Sequence, residues 1–114
     1  MFSGCGASTL YNVQNHPMPV KNLGDSKIQK AIKAAGAQLG WVITDVKPGL
    51  MKGSLHLRSH TAVVDIPYTE SEYSINYVSS SNLNYNPAKN TIHKNYNSWI
   101  QNLQNAIDVQ LAAQ

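Results

Sequence analysis

Between Trp41 and Val78 the chain runs through four strand-sized segments separated by three turn signals, and this rhythm constrains the fold more than any other feature. Trp41–Lys47 is followed by Pro48-Gly49, and Leu50–Arg58 by Ser59-His60. Thr61–Tyr68 is followed by Thr69-Glu70-Ser71-Glu72, and Tyr73–Val78 closes the run. Read as successive hairpins, the first turn pairs Val46 with Met51, Thr44 with Gly53 and Val42 with Leu55. The second pairs Leu57 with Ala62, Leu55 with Val64 and Gly53 with Ile66. The third pairs Tyr68 with Tyr73, Ile66 with Ile75 and Val64 with Tyr77. All three registers put the mainly apolar set on one face, and a one-residue slip would break that agreement. The run therefore predicts a four-stranded antiparallel meander. Pro67 fits a central strand poorly because it has no ladder donor, so pairing is expected to fray or bulge near the third turn.

Two amphipathic helices flank this run. Asp25 or Ser26 is suited to N-cap the first. Ile28, Ala31, Ile32, Ala35 and Leu39 then recur at helical spacing, and Gly40 suits a left-handed stop. Gly36 inside the helix costs about 1 kcal/mol relative to Ala and points to close packing on a sheet. The second helix runs from about Lys94 to Leu111, with Tyr96, Trp99, Ile100, Leu103, Ala106, Ile107 and Leu111 as its apolar stripe. The expected architecture is α+β, in the order α-β-β-β-β-α, with both helices on the apolar face of one sheet. Residues 25–114 form this domain, and 1–24 read as a lipobox remnant and flexible tether rich in Asn and Pro.

The simple hairpin registers place Trp41, His56, Val63 and Val78 in one row of the opposite face, with Ile43 in the next row. Asp45 and Lys52 oppose each other lower down. That face is more apolar than solvation requires, so either another part of the chain, such as the tether, covers it, or Trp41, Ile43, His56, Val63 and Val78 form a partner-binding surface. The polar stretch from Ser79 to His93 is long for a compact domain. Leu83, Tyr85 and Ile92 are suited to pin it, and Asn82, Asn84, Tyr85 and His93 are candidate functional positions within it.

Charge narrows the range of partners. The net charge is +3 and charged residues are only 13% of the chain, without the concentrated basic stripe of a nucleic-acid binder. Lys27, Lys30 and Lys33 recur at helical spacing and read as a solvated helix face, with anionic phospholipid as the second option. No apolar run reaches the roughly 20 residues of a membrane-spanning helix.

The one cysteine excludes an internal disulfide and any multi-thiolate metal site. Its place is informative. Phe2-Ser3-Gly4-Cys5 reads as the end of a bacterial lipobox, where small residues precede a thiol that accepts diacylglycerol. Cys5 would then be the acylated N-terminus, and the attached chains would hold the protein to a membrane.

Catalytic grammar is sparse. His56 and His60 fall on a strand and a turn, so the helical HxxxH metal face does not apply to them. There is no nucleophile elbow and no phosphate-cradling glycine loop. No metal site or cofactor is expected. The enzymatic alternative is a small metal-dependent or hydrolytic enzyme using His60, His93 and Asp65, and it rests on residue type alone.

Three segments carry a resemblance. Arg58-Ser59-His60-Thr61-Ala62-Val63-Val64-Asp65-Ile66, Ser81-Asn82-Leu83-Asn84-Tyr85 and Ile92 through Leu103 resemble small proteobacterial outer-membrane lipoproteins of unknown function. The resemblance implies a compact α+β body in the cell envelope and carries no catalytic assignment. Gly6, rather than Asp, after Cys5 fits an outer-membrane destination facing the periplasm. The expected function is a non-catalytic, membrane-anchored binding module whose partner is an envelope protein or peptidoglycan.

Overall fold

The structure is a computed structural model that describes residues 7–114. Cys5 and the lipobox segment lie outside the described residues. The protein is α+β. A five-stranded antiparallel sheet has the order β2-β6-β5-β4-β3, and a short β1–β7 pair stands apart from it. The elements run β1 (Ala7–Thr9), β2 (Val13–Pro17), α1 (Asp25–Gln38), β3 (Trp41–Lys47), β4 (Leu50–Leu57), β5 (His60–Pro67), β6 (Glu72–Ser81), β7 (Thr91–His93) and α2 (Lys94–Ala112). No helix among the described residues is long and apolar enough to cross a membrane.

The meander from β3 to β6 is present, but it is not the whole sheet. The segment expected to be a tether supplies a fifth strand. β2 pairs with β6 through Val13–Ile75, His16–Tyr73 and Pro17–Glu72, and β1 pairs with β7 through Ala7–His93 to Thr9–Thr91. Val13 and Leu23 are buried in the core. Side chains complete the attachment. Asn97 on α2 accepts from the Tyr11 N–H at 3.0 Å and donates to the Thr9 carbonyl at 2.8 Å. Asn12 Oδ1 accepts from the Tyr77 N–H at 2.9 Å.

Further along, a polar cluster joins β2, β6 and α2. His16 Nε2 lies 2.8 Å from Asp108 Oδ2, and the Tyr73 hydroxyl lies 2.9 Å from Asp108 Oδ1. The Tyr11 hydroxyl donates to Gln104 Oε1 at 2.7 Å, which turns the Gln104 amide nitrogen toward His16 Nδ1 at 3.3 Å. In this arrangement His16 accepts at Nδ1 and donates from Nε2 to the carboxylate. Burial, and then the hydrogen bond to Asp108, hold the Tyr73 hydroxyl protonated far above the ordinary tyrosine range.

Register is where the sheet departs from simple hairpins. Gly49, with φ of +85°, makes the first turn and Lys47 pairs with Leu50 as expected. A bulge at Val46 then shifts every later pair by one, so Asp45 meets Met51, Ile43 meets Gly53 and Trp41 meets Leu55. Since strand side chains alternate, one extra residue sends Trp41 and Ile43 inward and Val42 and Thr44 outward. Trp41 is 3% exposed and Val42 60%. The second hairpin turns at Arg58-Ser59, with Arg58 at φ of +58°, and pairs Leu55 with Ala62. That shift of two leaves the faces unchanged. The third register holds at Val64–Tyr77 and Tyr68–Tyr73, and a bulge at Val78 lets β6 continue to Ser81. Pro67 pairs only with Leu50, and the β5–β6 ladder stops at Asp65 before reaching it.

The helices pack on each other and share one core with Met51, Leu55, Ala62, Val64, Ile66 and Ile75. α1 is capped by Gly24 without a side-chain bond, while Asp25 is already helical. Its exit through Leu39 and the left-handed Gly40 is as expected. Gly36 lies against Ile43 and Trp41 of β3, the close approach its lack of a side chain permits.

Candidate functional site

At one end of the sheet β4 outruns β3, and the space beyond the start of β3 is bridged from above by α2. Here α1 ends at Leu39, Gly40 turns the chain, and Trp41 lays its buried indole as a floor. Gly53 on the neighbouring strand makes room for that ring: a Cβ there would come within 3.3 Å of Trp41 Cε3 and 3.0 Å of Ile43 Cδ1. Leu55 and Leu57 of β4 form one wall, and Trp99 of α2 the other. His56 and Asn102 stand at the polar rim. The recess has a volume of about 180 Å³. For scale, an apolar cavity of ~150 Å³ accepts a benzene ring. Leu39 and Leu57, at 38% and 46% exposed, leave the mouth apolar.

The second turn props the Trp99 wall. The His60 ring sits 6.4 Å from the Trp99 ring, and His60 Nδ1 donates to the Asn82 carbonyl at 2.8 Å. Asn82 in turn donates from its amide to the Ser59 carbonyl at 2.6 Å. The turn and the 82–90 loop are thus fastened to each other beside the groove.

The expected outer-face patch is divided by the bulge in β3. Trp41 and Ile43 belong to the core side, and only Trp41 reaches the recess. His56, Val63 and Val78 keep the outward positions expected of them, and His56 also touches the groove rim. The outward face is mostly hydroxyl and amide, with Thr44, Ser54, Thr61, Asn76 and Ser79 surrounding Val42 and Val63. Its ion pair is Lys52–Asp65 at 4.0 Å. Asp45 pairs instead with Lys33 of α1 at 2.8 Å, not with Lys52.

The loop candidates have mainly conformational work. Asn82, Asn84 and Asn90 take left-handed φ values of +61°, +54° and +55°, which asparagine tolerates better than most residues. Leu83 and Ile92 are buried, and Tyr85 stacks on Tyr77 with ring centroids 4.4 Å apart. His93 caps α2, its Nδ1 accepting from the Asn95 N–H at 3.1 Å.

His60, His93 and Asp65 are not brought together as a site. His60 and Asp65 are an odd number of residues apart on one strand and lie on opposite faces. Among the described residues no three His, Cys, Asp or Glu side chains cluster to hold a metal ion.

Sequence reasoning missed Leu39, Leu57, Trp99 and Asn102 as members of one recess. Gly53 within a strand signals close approach, and Trp99 sits at the flank of the helical stripe. Their meeting depends on the inward turn of Trp41, which the bulge decides. No family model, curated protein or solved structure matches this chain.

Proposed function

We propose that this chain is a non-catalytic binding module of the bacterial envelope, anchored by lipid on Cys5, that holds an apolar side chain of an envelope protein in the groove between Trp41 and Trp99. The observation that carries the reading is the groove itself: a recess with an indole floor and two half-open leucines at its mouth. Concave apolar sites with a few polar rim groups are the usual form of a binding site. An aromatic or branched aliphatic anchor matches the volume, and such anchors carry most of the affinity at protein interfaces. The apolar lining favours a protein partner over peptidoglycan.

The anchor rests on Phe2-Ser3-Gly4-Cys5 and on the resemblance to small outer-membrane lipoproteins. Ala7, two residues after Cys5, is already paired with His93. Two residues span at most roughly 7 Å, so an acyl group on Cys5 would hold the body close to the bilayer, facing the periplasm from the outer membrane. Two measurements test the reading in the native host. Mass spectrometry should find Cys5 acylated, and Cys5→Ala should move the chain out of the membrane fraction. A photo-crosslinker at Asn102 should capture one envelope protein, and Leu57→Asp should abolish the adduct. An adduct that survives Leu57→Asp rules out the groove, and an unmodified Cys5 in a soluble fraction rules out the anchor.

A further inference from the structure

The carboxylates of this chain lie toward one end of the body, and the chain departs toward Cys5 from the other. Ala7 pairs with His93, and the His93 N–H donates to the Leu83 carbonyl at 2.8 Å. The adjoining Asn82 is fastened to the Arg58-Ser59 turn through His60 and the Ser59 carbonyl. Lys94 follows His93 at the start of α2. Arg58, Lys94 and the departure toward Cys5 therefore share one end of the body, which is also the end that holds the groove.

The chain has six carboxylates, and none reaches this end. Asp25 starts α1, which finishes at the groove with Leu39, and Asp45 lies beside the β3 bulge. Glu70 and Glu72 belong to the third turn. The remaining two are nearest. Asp65 pairs with Lys52, roughly 20 Å along β4 from Arg58. Asp108 lies roughly 20 Å along α2 from Lys94. Both separations are more than twice the Debye length of about 8 Å at physiological salt. The six lysines from Lys21 to Lys52 offset the carboxylates, so the net charge of +3 resides on Arg58, Lys89 and Lys94. Among the described residues neither Arg58 nor Lys94 has an ion-pair partner. Arg58 also holds φ of +58° in a two-residue hairpin loop, a place that favours Gly or Asn. A cation thus occupies a backbone position that disfavours it.

We propose that this end docks on an anionic phospholipid surface, the bilayer to which Cys5 tethers the chain, with Arg58 and Lys94 against lipid phosphates. The docking rests on the Cys5 anchor proposed above, whose short reach from Ala7 keeps this end at the bilayer. The planar fork of an arginine suits a phosphate, and the lysine adds a second point charge. The groove then opens at headgroup level, so the protein that fills it is one lying at the bilayer surface.

Coupling the Cys5 thiol of the full chain to a maleimide phospholipid supplies the tether whether or not the host acylates Cys5, so failure of the docking and failure of the anchor are read separately. Both tryptophans, Trp41 and Trp99, line the groove at this end. A phospholipid spin-labelled at its headgroup should quench their fluorescence in phosphatidylglycerol vesicles, and much less in phosphatidylcholine or in about 0.5 M salt. Each cation near an anionic leaflet favours the docked state about fivefold, so Arg58→Asn with Lys94→Gln should lower the docked-to-free ratio about 30-fold. Arg58→Asn alone should raise thermal stability, because Asn tolerates the left-handed turn, while it weakens docking. Lys27→Gln with Lys30→Gln, toward the carboxylate end, should leave the quenching unchanged. Equal quenching in phosphatidylcholine, or in the protein lacking both Arg58 and Lys94, would overturn the proposal. So would loss of quenching in the Lys27 and Lys30 variant, which would put α1 against the lipid, or no quenching of the tethered chain at all.

Discussion

Replacing Gly36 by Ala tests the inward turn of β3, because the sign of the effect depends on which way Ile43 points. Gly36 is in the interior of α1, where Ala is favoured over Gly by about 1 kcal/mol. If Ile43 pointed to the outer face, as simple hairpin register has it, Gly36→Ala would realise that gain. In the structure a Cβ at position 36 overlaps Ile43 Cγ1, and comes within 2.9 Å of Cδ1 and 3.4 Å of Trp41 Cβ. Overpacking of this kind costs about 1–3 kcal/mol. Set against the propensity gain, the substitution should destabilise by about 1 kcal/mol. Ile43→Ala removes both offending carbons and costs about 2 kcal/mol at this half-buried site. In that background Gly36→Ala should become stabilising by about 1 kcal/mol, so the two changes couple by about 2 kcal/mol. Urea denaturation of the four proteins, followed by tryptophan fluorescence and circular dichroism, closes the cycle. A stabilising single Gly36→Ala, with effects that add to within about 0.5 kcal/mol, would refute the bulged register.

Three further outcomes follow from the buried polar groups. Among the described residues the buried Tyr96 hydroxyl has no hydrogen-bond partner, so Tyr96→Phe should be neutral or stabilise by up to about 1 kcal/mol in denaturant titration. Burial first, with Asp108 for Tyr73 and Tyr77 for Tyr96, raises both hydroxyls above the ordinary range. Stability from keeping them neutral is therefore complete below the unfolded pKa near 10 and falls as pH rises past it. The loss should be about 1 kcal/mol per tyrosine between pH 10 and 11, and smaller by that amount in Tyr73→Phe. Asp108→Ala removes one hydrogen bond each from His16 and Tyr73, leaving His16 its contact with the Gln104 amide and the Tyr73 hydroxyl the Gln104 carbonyl at 3.1 Å, and should destabilise by about 1–2 kcal/mol. Hydrogen exchange should then accelerate first in residues 11–17, and uniform acceleration across the sheet would show that this cluster does not fasten β2.

Positions and types of elements were legible where one periodicity ran unbroken. α1, α2 and the three turns of the meander stand within a residue or two of their expected places, because apolar spacing and turn residues are local signals. Whatever hangs on a single added residue was not legible. In β3 the odd set Trp41, Ile43, Asp45 and the even set Val42, Thr44, Val46 are equally good strand faces, and only the bulge at Val46 decides between them. The same local ambiguity hid β2. Residues 7–24 have the Pro and Asn content of a tether, yet Asn12 and Asn97 are backbone partners and Asn15 and Asn22 hold left-handed turns. The asparagine-rich composition that reads as solvated loop is here the means by which short, non-periodic strands satisfy their polar groups.

The bulge ties the recess and the outer face of β3 to one cause. It buries Trp41 as the groove floor, and by the same one-residue shift it brings Val42 and Thr44 to the open face of the edge. Without it, Val42 would take the inward position beside α1, and the recess would lose its indole while the edge would lose its apolar step. Gly36 and Gly53 fit only the bulged arrangement, since each leaves space against Ile43 and Trp41 that an outward-turned β3 would not fill. Two strand- and helix-interior glycines, each unfavourable on local propensity, are therefore explained by one long-range event. Adding a side chain at either should displace Trp41 and so disturb the groove from within the core, whereas Leu57→Asp should change the mouth and leave β3 in place.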